Sequence, residues 1–229
     1  MLTPKQIGYN LAGTQHLEFA FAEEGKALTV ITTAVVTAYD ETGTSIEVIT
    51  NTIADNVVSI DHAFDSTNYS LERGYHFNVE IDGEDGDGND TADTKKFFFD
   101  VARTPLEASI SYTNIIELAP EIAQNHLANT EALAAPFIQA AMVRLFGKIV
   151  ANTTYPDLLV DLYLWRACLT YEAIWGINVS RAAEAYIEHY RELKDQSYDL
   201  LSGSFRQYNE TTPAGDTVTE KTFTVKAIR

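Results

Sequence analysis

Apolar and polar positions along the chain fall into two regimes. Over the first hundred residues the alternation has period two. Leu17, Phe19 and Phe21 share one side of a segment whose other side carries His16 and Glu18. Residues 28–39, LTVITTAVVTAY, are dense in Val, Ile and Thr, which suit a pleated, half-buried surface. Ile46 with Val48, then Val58 with Ile60, continue the pattern in shorter pieces. Tyr75, Phe77, Val79 and Ile81 alternate with His76, Asn78, Glu80 and Asp82, which predicts a strand with one buried face. Phe97, Phe99 and Val101 supply its partner. Turn-forming clusters at Glu23-Glu24-Gly25, Asp40 to Gly43 and Glu72-Arg73-Gly74 separate the runs. Short strands at this spacing predict an antiparallel β-sandwich over residues 1–104.

The period changes after Arg103-Thr104-Pro105. Ile138, Met142, Leu145 or Phe146, and Ile149 form a helical stripe. Over 157–175 the apolar residues Leu158, Leu159, Leu162, Trp165, Leu169 and Ile174 go nearly all round, so this helix is covered on several sides. Asp157 after Pro156 is its expected start and Gly176 its expected stop. A further stripe runs through Val179, Ala183, Tyr186, Tyr190 and Leu193 to Leu200 or Leu201, with Asn178 or Ser180 as cap and Gly203 near its end. With the segment 113–128 this predicts a small helical bundle over 105–208. The polar run NETTPAGD (209–216) then leads into TVTEKTFTVKAI, where Phe223, Val225 and Ala227 oppose Thr222, Thr224 and Lys226. That strand has no hairpin partner beside it. The predicted fold class is therefore α+β: an N-terminal antiparallel β-sandwich, a small helical bundle, and a C-terminal linker with an extended strand or arm over 209–229.

Composition narrows the functional classes. With 45% apolar residues in 229, the chain can bury a core, which speaks against wholesale disorder. Acids outnumber bases 33 to 16, and a net charge of −17 argues against nucleic acid as a primary partner and against an anionic membrane surface. The segment MLTPKQIGYNLAG lacks the apolar core of a secretory signal, and no run approaches about 18 uninterrupted apolar residues, so neither leader nor membrane span is expected. The single cysteine, Cys168, excludes an internal disulfide framework. Asn-x-Ser/Thr triplets at Asn68, Asn89, Asn152, Asn178 and Asn209 read as chance in such a chain.

The one concentrated chemical feature is IDGEDGDGND, residues 81–90, where Asp82, Glu84, Asp85, Asp87, Asp90 and then Asp93 crowd together. An EF-hand loop needs ligands at its positions 1, 3 and 5, Gly at 6 and a carboxylate at 12. Counted from Asp85, position 6 is Asp90 and position 12 is Lys96; counted from Asp82, positions 5 and 6 are Gly86 and Asp87. Neither register fits, and strands rather than helices flank the run, so a solvated hairpin tip is the expectation. His16, His62, His76, His126 and His189 are scattered, without HExxH or CxxC spacing, and Glu-x-x-His pairs fail because Ala123 and Tyr186 stand where the acids should. Cys168 sits among Leu164, Trp165 and Leu169 as a small core residue. No GxSxG, GxGxxG or phosphate loop occurs, and Tyr163, Tyr171, Tyr186 and Tyr190 lie at helical packing spacings. The expectation is a protein that is not an enzyme, with no cofactor, no metal and no catalytic residue.

The order of these pieces carries a resemblance. The sandwich passes through Phe97-Phe98-Phe99-Asp100-Val101-Ala102-Arg103-Thr104-Pro105 into a unit with Ile138 to Phe146, then Leu158 to Ile174, then Ala183-Tyr186-Tyr190 running to Tyr198-Asp199-Leu200-Leu201, and ends in an extended tail. This resembles the head–tail connector, or adaptor, proteins of tailed bacteriophages. Tyr69 to Val79 also resembles the strand pair of immunoglobulin-like domains common in virion proteins. The resemblance implies a structural protein of the virion neck, made in the host cytoplasm. It would form a ring of commonly about twelve copies beneath the portal, with the portal and a tail or neck protein as partners. It also implies an arm, matched here by Thr217 to Arg229, in which Val218, Phe223, Val225, Ala227 and Ile228 would add to a partner's sheet edge. Folding back onto its own sandwich remains the alternative for that strand. DNA would pass through the ring's channel, where like charge keeps phosphates from sticking. The simplest adaptors are the helical unit alone, so the sandwich leaves another neck or baseplate component open. From a different class, the chain could be a carbohydrate- or protein-binding module on a helical support.

Overall fold

A computed structural model describes residues 5–8, 14–21, 30–84, 87–107, 109–124, 128–152 and 154–207. These residues divide into two compact units, one ending at Pro105 and the other beginning at Leu106. The described helices all lie in the second unit and all but two short strands in the first, so the fold class is α+β.

Among its described residues the first unit has eight strands: β1 (Lys5–Gly8), β2 (Gln15–Ala20), β3 (Val30–Tyr39), β4 (Ser45–Ile49), β5 (Asn51–Ala54), β6 (Val57–His62), β7 (Arg73–Glu84) and β8 (Asp90–Ala102). One sheet runs β1-β8-β7-β3-β4 and the other β2-β6-β5. The alternation dictates which side chains turn inward: Leu17 and Phe19 from the smaller sheet meet Val36, Phe77, Val79 and Phe99 from the larger. Phe77 stacks on Phe99 at 4.3 Å between ring centroids, and Phe19 meets Phe77 edge-on at 5.4 Å, which ties the two sheets through one aromatic cluster. The predicted partnership of Tyr75–Ile81 with Phe97–Val101 is present, with Phe77 opposite Phe97 and Tyr75 opposite Phe99.

Two backbone features follow directly from residue type. Asp55 and Asn56, at φ 50° and 62°, form the two-residue link between β5 and β6, a primed turn that short polar residues tolerate. Gly83 lies where a Cβ would come 2.1 Å from the Val30 carbonyl oxygen, so only glycine lets β7 and β3 approach there. In one respect the expected sandwich differs: it is not wholly antiparallel, because β1 pairs parallel to β8. Gln15 secures the return from that strand, its side-chain amide accepting from Gly8 N at 3.1 Å and donating to Gly8 O at 2.7 Å.

The second unit contains α1 (Tyr112–Leu118), a 3-10 turn (Pro120–Gln124), α2 (Glu131–Asn152), β9 (Leu158–Leu159), α3 (Leu162–Ser180), α4 (Glu184–Gly203) and β10 (Arg206–Gln207). β9 and β10 form a two-stranded antiparallel ribbon. α3 is the central helix, packed against α1, α2 and α4, with Trp165, Leu169, Ile174 and Ile177 fully enclosed. The Trp165 indole donates to the Glu107 carbonyl at 2.9 Å, satisfying its one polar atom in the core.

Three expected boundaries are corrected. The central helix does not start at Asp157: Leu158 and Leu159 are taken into the ribbon, and Asp161 caps the helix by accepting from Tyr163 N at 2.8 Å and Leu164 N at 3.2 Å. It does not stop at Gly176 but continues to Ser180, so Asn178, Val179 and Ser180 are its last turn rather than the cap of the next helix. The break falls instead at Ala182, with φ at 52°, and α4 follows immediately. Among the described residues of 113–128, helix is confined to α1 as far as Leu118 and the 3-10 turn.

Candidate functional site

The arm residues Val218, Phe223, Val225, Ala227 and Ile228, like His126, lie outside the described residues. Of the acidic side chains in the run, Asp85 lies outside the described residues and the others fall on β7, β8 and residues 87–89 just before β8, with Glu84 paired with Asp90 and Asp82 with Ala92. Asp82 points to the outer side and accepts from Thr33 Oγ1 at 2.9 Å. Asp93 stands opposite Ile81 on the inner side and accepts from Thr94 N at 2.7 Å. Strand alternation thus sends these carboxylates to opposite faces. Among the described residues, no three His, Cys, Asp or Glu side chains converge as metal ligands. Glu188, beside His189, is ion-paired with Arg191, and the His189 ring packs edge-on to Tyr190 at 5.1 Å. Cys168 is fully buried, and desolvation pushes its thiol up to about 11, so it is protonated at neutral pH.

What the helical unit presents is a surface. α2 is buried along Ala134, Ile138, Ala141, Met142, Leu145, Phe146 and Ile149. Its outward side carries many small or apolar residues among Glu131, Gln139, Arg144 and Lys148: Ala132, Leu133, Ala135, Pro136, Gly147 and Ala151 are exposed, and Val143 and Val150 half-buried. Ala135, Gln139, Val143, Gly147 and Ala151 follow one another at four-residue steps, a ridge of small side chains with a single amide in it. Within Glu131–Ala151 the most apolar 18-residue stretch has a mean hydropathy of 1.4, and 39% of it is buried, the remainder being half-buried or exposed. By length and composition this helix could cross a membrane; a core helix passes the same test, and its Ile138–Ile149 face is core. Leu118, Leu162, Tyr163, Val179, Tyr186 and Leu200 add exposed apolar area on the other helices, Tyr163 being 81% exposed.

Beneath that surface an ionic lattice fixes the helices. Arg144 of α2 and Lys194 of α4 converge on Glu172 of α3, which is 2% exposed. Arg144 Nε donates to Glu172 Oε1 at 2.7 Å, and Lys194 Nζ lies 4.0 Å from the other carboxylate oxygen. The same two cations face the Trp175 ring, at 5.7 and 4.7 Å from its centroid. Lys148 of α2 lies 5.0 Å over the Tyr198 ring of α4, a direct tie between those two helices. Each of these residues reads singly as ordinary helix-surface charge, and no sequence signal joins them.

No family model matches the chain, and no curated protein does.

Proposed function

We propose that the chain is a virion structural protein, a head–tail adaptor that associates with copies of itself into a ring joining portal to tail or neck. The observation that carries the reading is α2, which beside its buried apolar face leaves Ala132, Leu133, Ala135, Pro136, Gly147 and Ala151 exposed. An exposed ridge of small residues lets a second helix approach closely and gains apolar burial when covered. The order of a β unit followed by a helical unit supports the same reading, as does the −17 charge, which disfavours adhesion to DNA moving through a channel. No ligand chemistry is needed for such a role. The arm Thr217–Arg229 belongs to the proposal through the strand-forming alternation of its sequence.

Native mass spectrometry and electron microscopy of the full chain, alone and mixed with purified portal protein, test it. A closed ring that binds portal is expected. Gly147→Glu, on the outward ridge, is expected to abolish assembly while leaving the circular dichroism of the helices intact. A persistent monomer without portal binding overturns the proposal.

A further inference from the structure

The β unit holds a cleft of about 370 Å³ beside the β3–β4 turn. That is within the ~300–1,000 Å³ span typical of small-molecule sites. Asp40 and Glu41 of the turn form one wall, the 66–70 loop the other, and Ile46 of β4 and Tyr75 of β7 lie between.

Its walls are held by internal hydrogen bonds, so the cleft is preformed. On one side Asp40 Oδ1 accepts from Thr42 N at 2.9 Å, Thr42 Oγ1 at 2.7 Å and Thr44 N at 2.8 Å. On the other, Thr67 N donates to Asp65 Oδ1 at 2.8 Å and Tyr69 N to Asp65 O at 3.0 Å. Ser70 N donates to the Tyr75 hydroxyl at 3.1 Å, joining the loop to β7. Below the loop, Glu47 Oε1 accepts from Tyr69 OH at 2.9 Å and Asn68 Nδ2 at 3.3 Å, and His62 Nε2 lies 3.1 Å away. Tyr69, 3% exposed, is packed edge-on against Tyr75 and His62. This inward carboxylate with its phenol, amide and imidazole is a rigid support placed directly under the cleft.

The lining decides the ligand class. It offers the carboxylates of Asp40 and Glu41, the hydroxyls of Ser66, Thr67 and Ser70, and the Asn68 amide, and among the described residues it contains no Lys, Arg or His. Hydrogen bonds from Thr42 and Thr44 hold the Asp40 carboxyl below its ordinary range, so the wall is anionic at neutral pH. An anionic ligand is repelled. A wholly apolar one finds little beyond Ile46, and a bare divalent cation lacks a three-carboxylate or imidazole cluster among the described residues. A sugar matches: its hydroxyls donate to carboxylates and accept from amide and hydroxyl donors, while its C–H face covers an aliphatic side chain. We propose that this cleft binds a neutral carbohydrate of one or two pyranose rings. This goes beyond the adaptor reading and stands independently of it.

The test uses the full chain, isotopically labelled, titrated with glucose, galactose, N-acetylglucosamine, lactose and maltose up to about 50 mM, the weak-affinity range. Saturable shifts confined to the amides of residues 40–47 and 65–75 are expected for at least one sugar. Glu41→Gln, a change at an exposed turn position, is expected to weaken that sugar at least about fivefold, the loss of one hydrogen bond to a charged group. Absence of saturation with every sugar overturns the proposal. So do shifts located elsewhere, an unchanged affinity in Glu41→Gln, or saturation by calcium chloride in place of any sugar. The oligomeric state measured for the adaptor reading is unaffected by any of these outcomes.

Discussion

Arg144 Nε donates to Glu172 Oε1 at 2.7 Å, and Glu172 is almost fully enclosed by α2, α3 and α4. Removing the carboxylate takes from Arg144 its hydrogen-bonded partner and leaves Lys194, itself 9% exposed, with only the exposed Asp195 carboxylate at 3.0 Å. Loss of one partner from a buried pair costs about 3–5 kcal/mol, and the water-facing 40% of the Arg144 side chain reduces that to about 2–3 kcal/mol here. Glu172→Ala is therefore expected to lower the unfolding free energy by that amount, read as a lower denaturant midpoint at unchanged slope. A change within about 0.5 kcal/mol would show that the lattice is decoration.

Gly176 and Gly147 make opposite predictions for the same substitution. A Cβ at Gly147 meets nothing within 4 Å, so Gly147→Ala is expected to stabilise the unassembled chain by about 0.5–1 kcal/mol through helix propensity. At Gly176 the added Cβ comes 3.1 Å from Arg144 Nη2, whose guanidinium is anchored on Glu172. Gly176→Ala is expected to be neutral or destabilising. Equal gains at both positions, measured by chemical denaturation, would mean that Arg144 moves freely.

The same lattice marks where sequence reading stops. β7 and β8 were legible because alternation over Tyr75–Ile81 and Phe97–Val101 is a local signal that burial on one face imposes. β1 was not: KQIG carries one apolar residue, Ile7, and its parallel partner lies more than ninety residues away, at Phe99 to Ala102. Gly176 misled because a glycine in a helical pattern reads as a stop, whereas here it makes room for a guanidinium from another helix. Asp157 misled because Asp161, four residues on, is the carboxylate that reaches the free N–H groups. Arg144, Glu172 and Lys194, and equally Asp40, Asn68 and Tyr75, become neighbours only through tertiary packing.

Asp100 is 2% exposed on β8, accepting from Gly74 N at 3.1 Å and Arg73 Nε at 3.4 Å. Burial raises its carboxyl above the ordinary range, and these donors only partly oppose it. A folded value above the unfolded one means that the charged form costs stability, and the cost appears as pH rises through the folded value. Asp100→Asn keeps an acceptor for Gly74 and is expected to be as stable as the parent at pH 7, or more stable by up to about 1 kcal/mol. The difference should shrink as acid protonates the parent. A variant clearly less stable at pH 7 would show that the charge is net favourable.

His16 and His76 impose pH trends of opposite sign. Hydrogen bonds to Asp61 and then Glu18 raise His16 above 6.5, so its contribution is full below that value and is lost as pH rises through the folded one. Burial, then Lys96, lowers His76, with Asp40 weakly opposing. Its contribution is full above 6.5 and is lost as pH falls through the folded value. Melting curves between pH 5 and 8 are expected to show His16→Asn removing stability mainly on the acidic side. His76→Asn is expected to flatten the acid-side decline. Parallel curves for both variants would refute the assignment.

Cys168 is the chain's built-in reporter of unfolding. Its thiol is fully buried in α3, and desolvation outweighs Ser197, Lys148 and Lys194, which act in the opposite direction. With the thiol at about 11, only about a thousandth is thiolate at pH 8, and even that fraction is shielded from reagent. An aromatic disulfide reagent is expected to leave native protein unmodified on the timescale in which it titrates one thiol in denaturant. Modification should then proceed only through opening of the helical unit and accelerate in Glu172→Ala as that unit loosens. Rapid reaction of the native chain, with no change in the variant, would place Cys168 at an accessible surface and contradict the packing of α3 against α4.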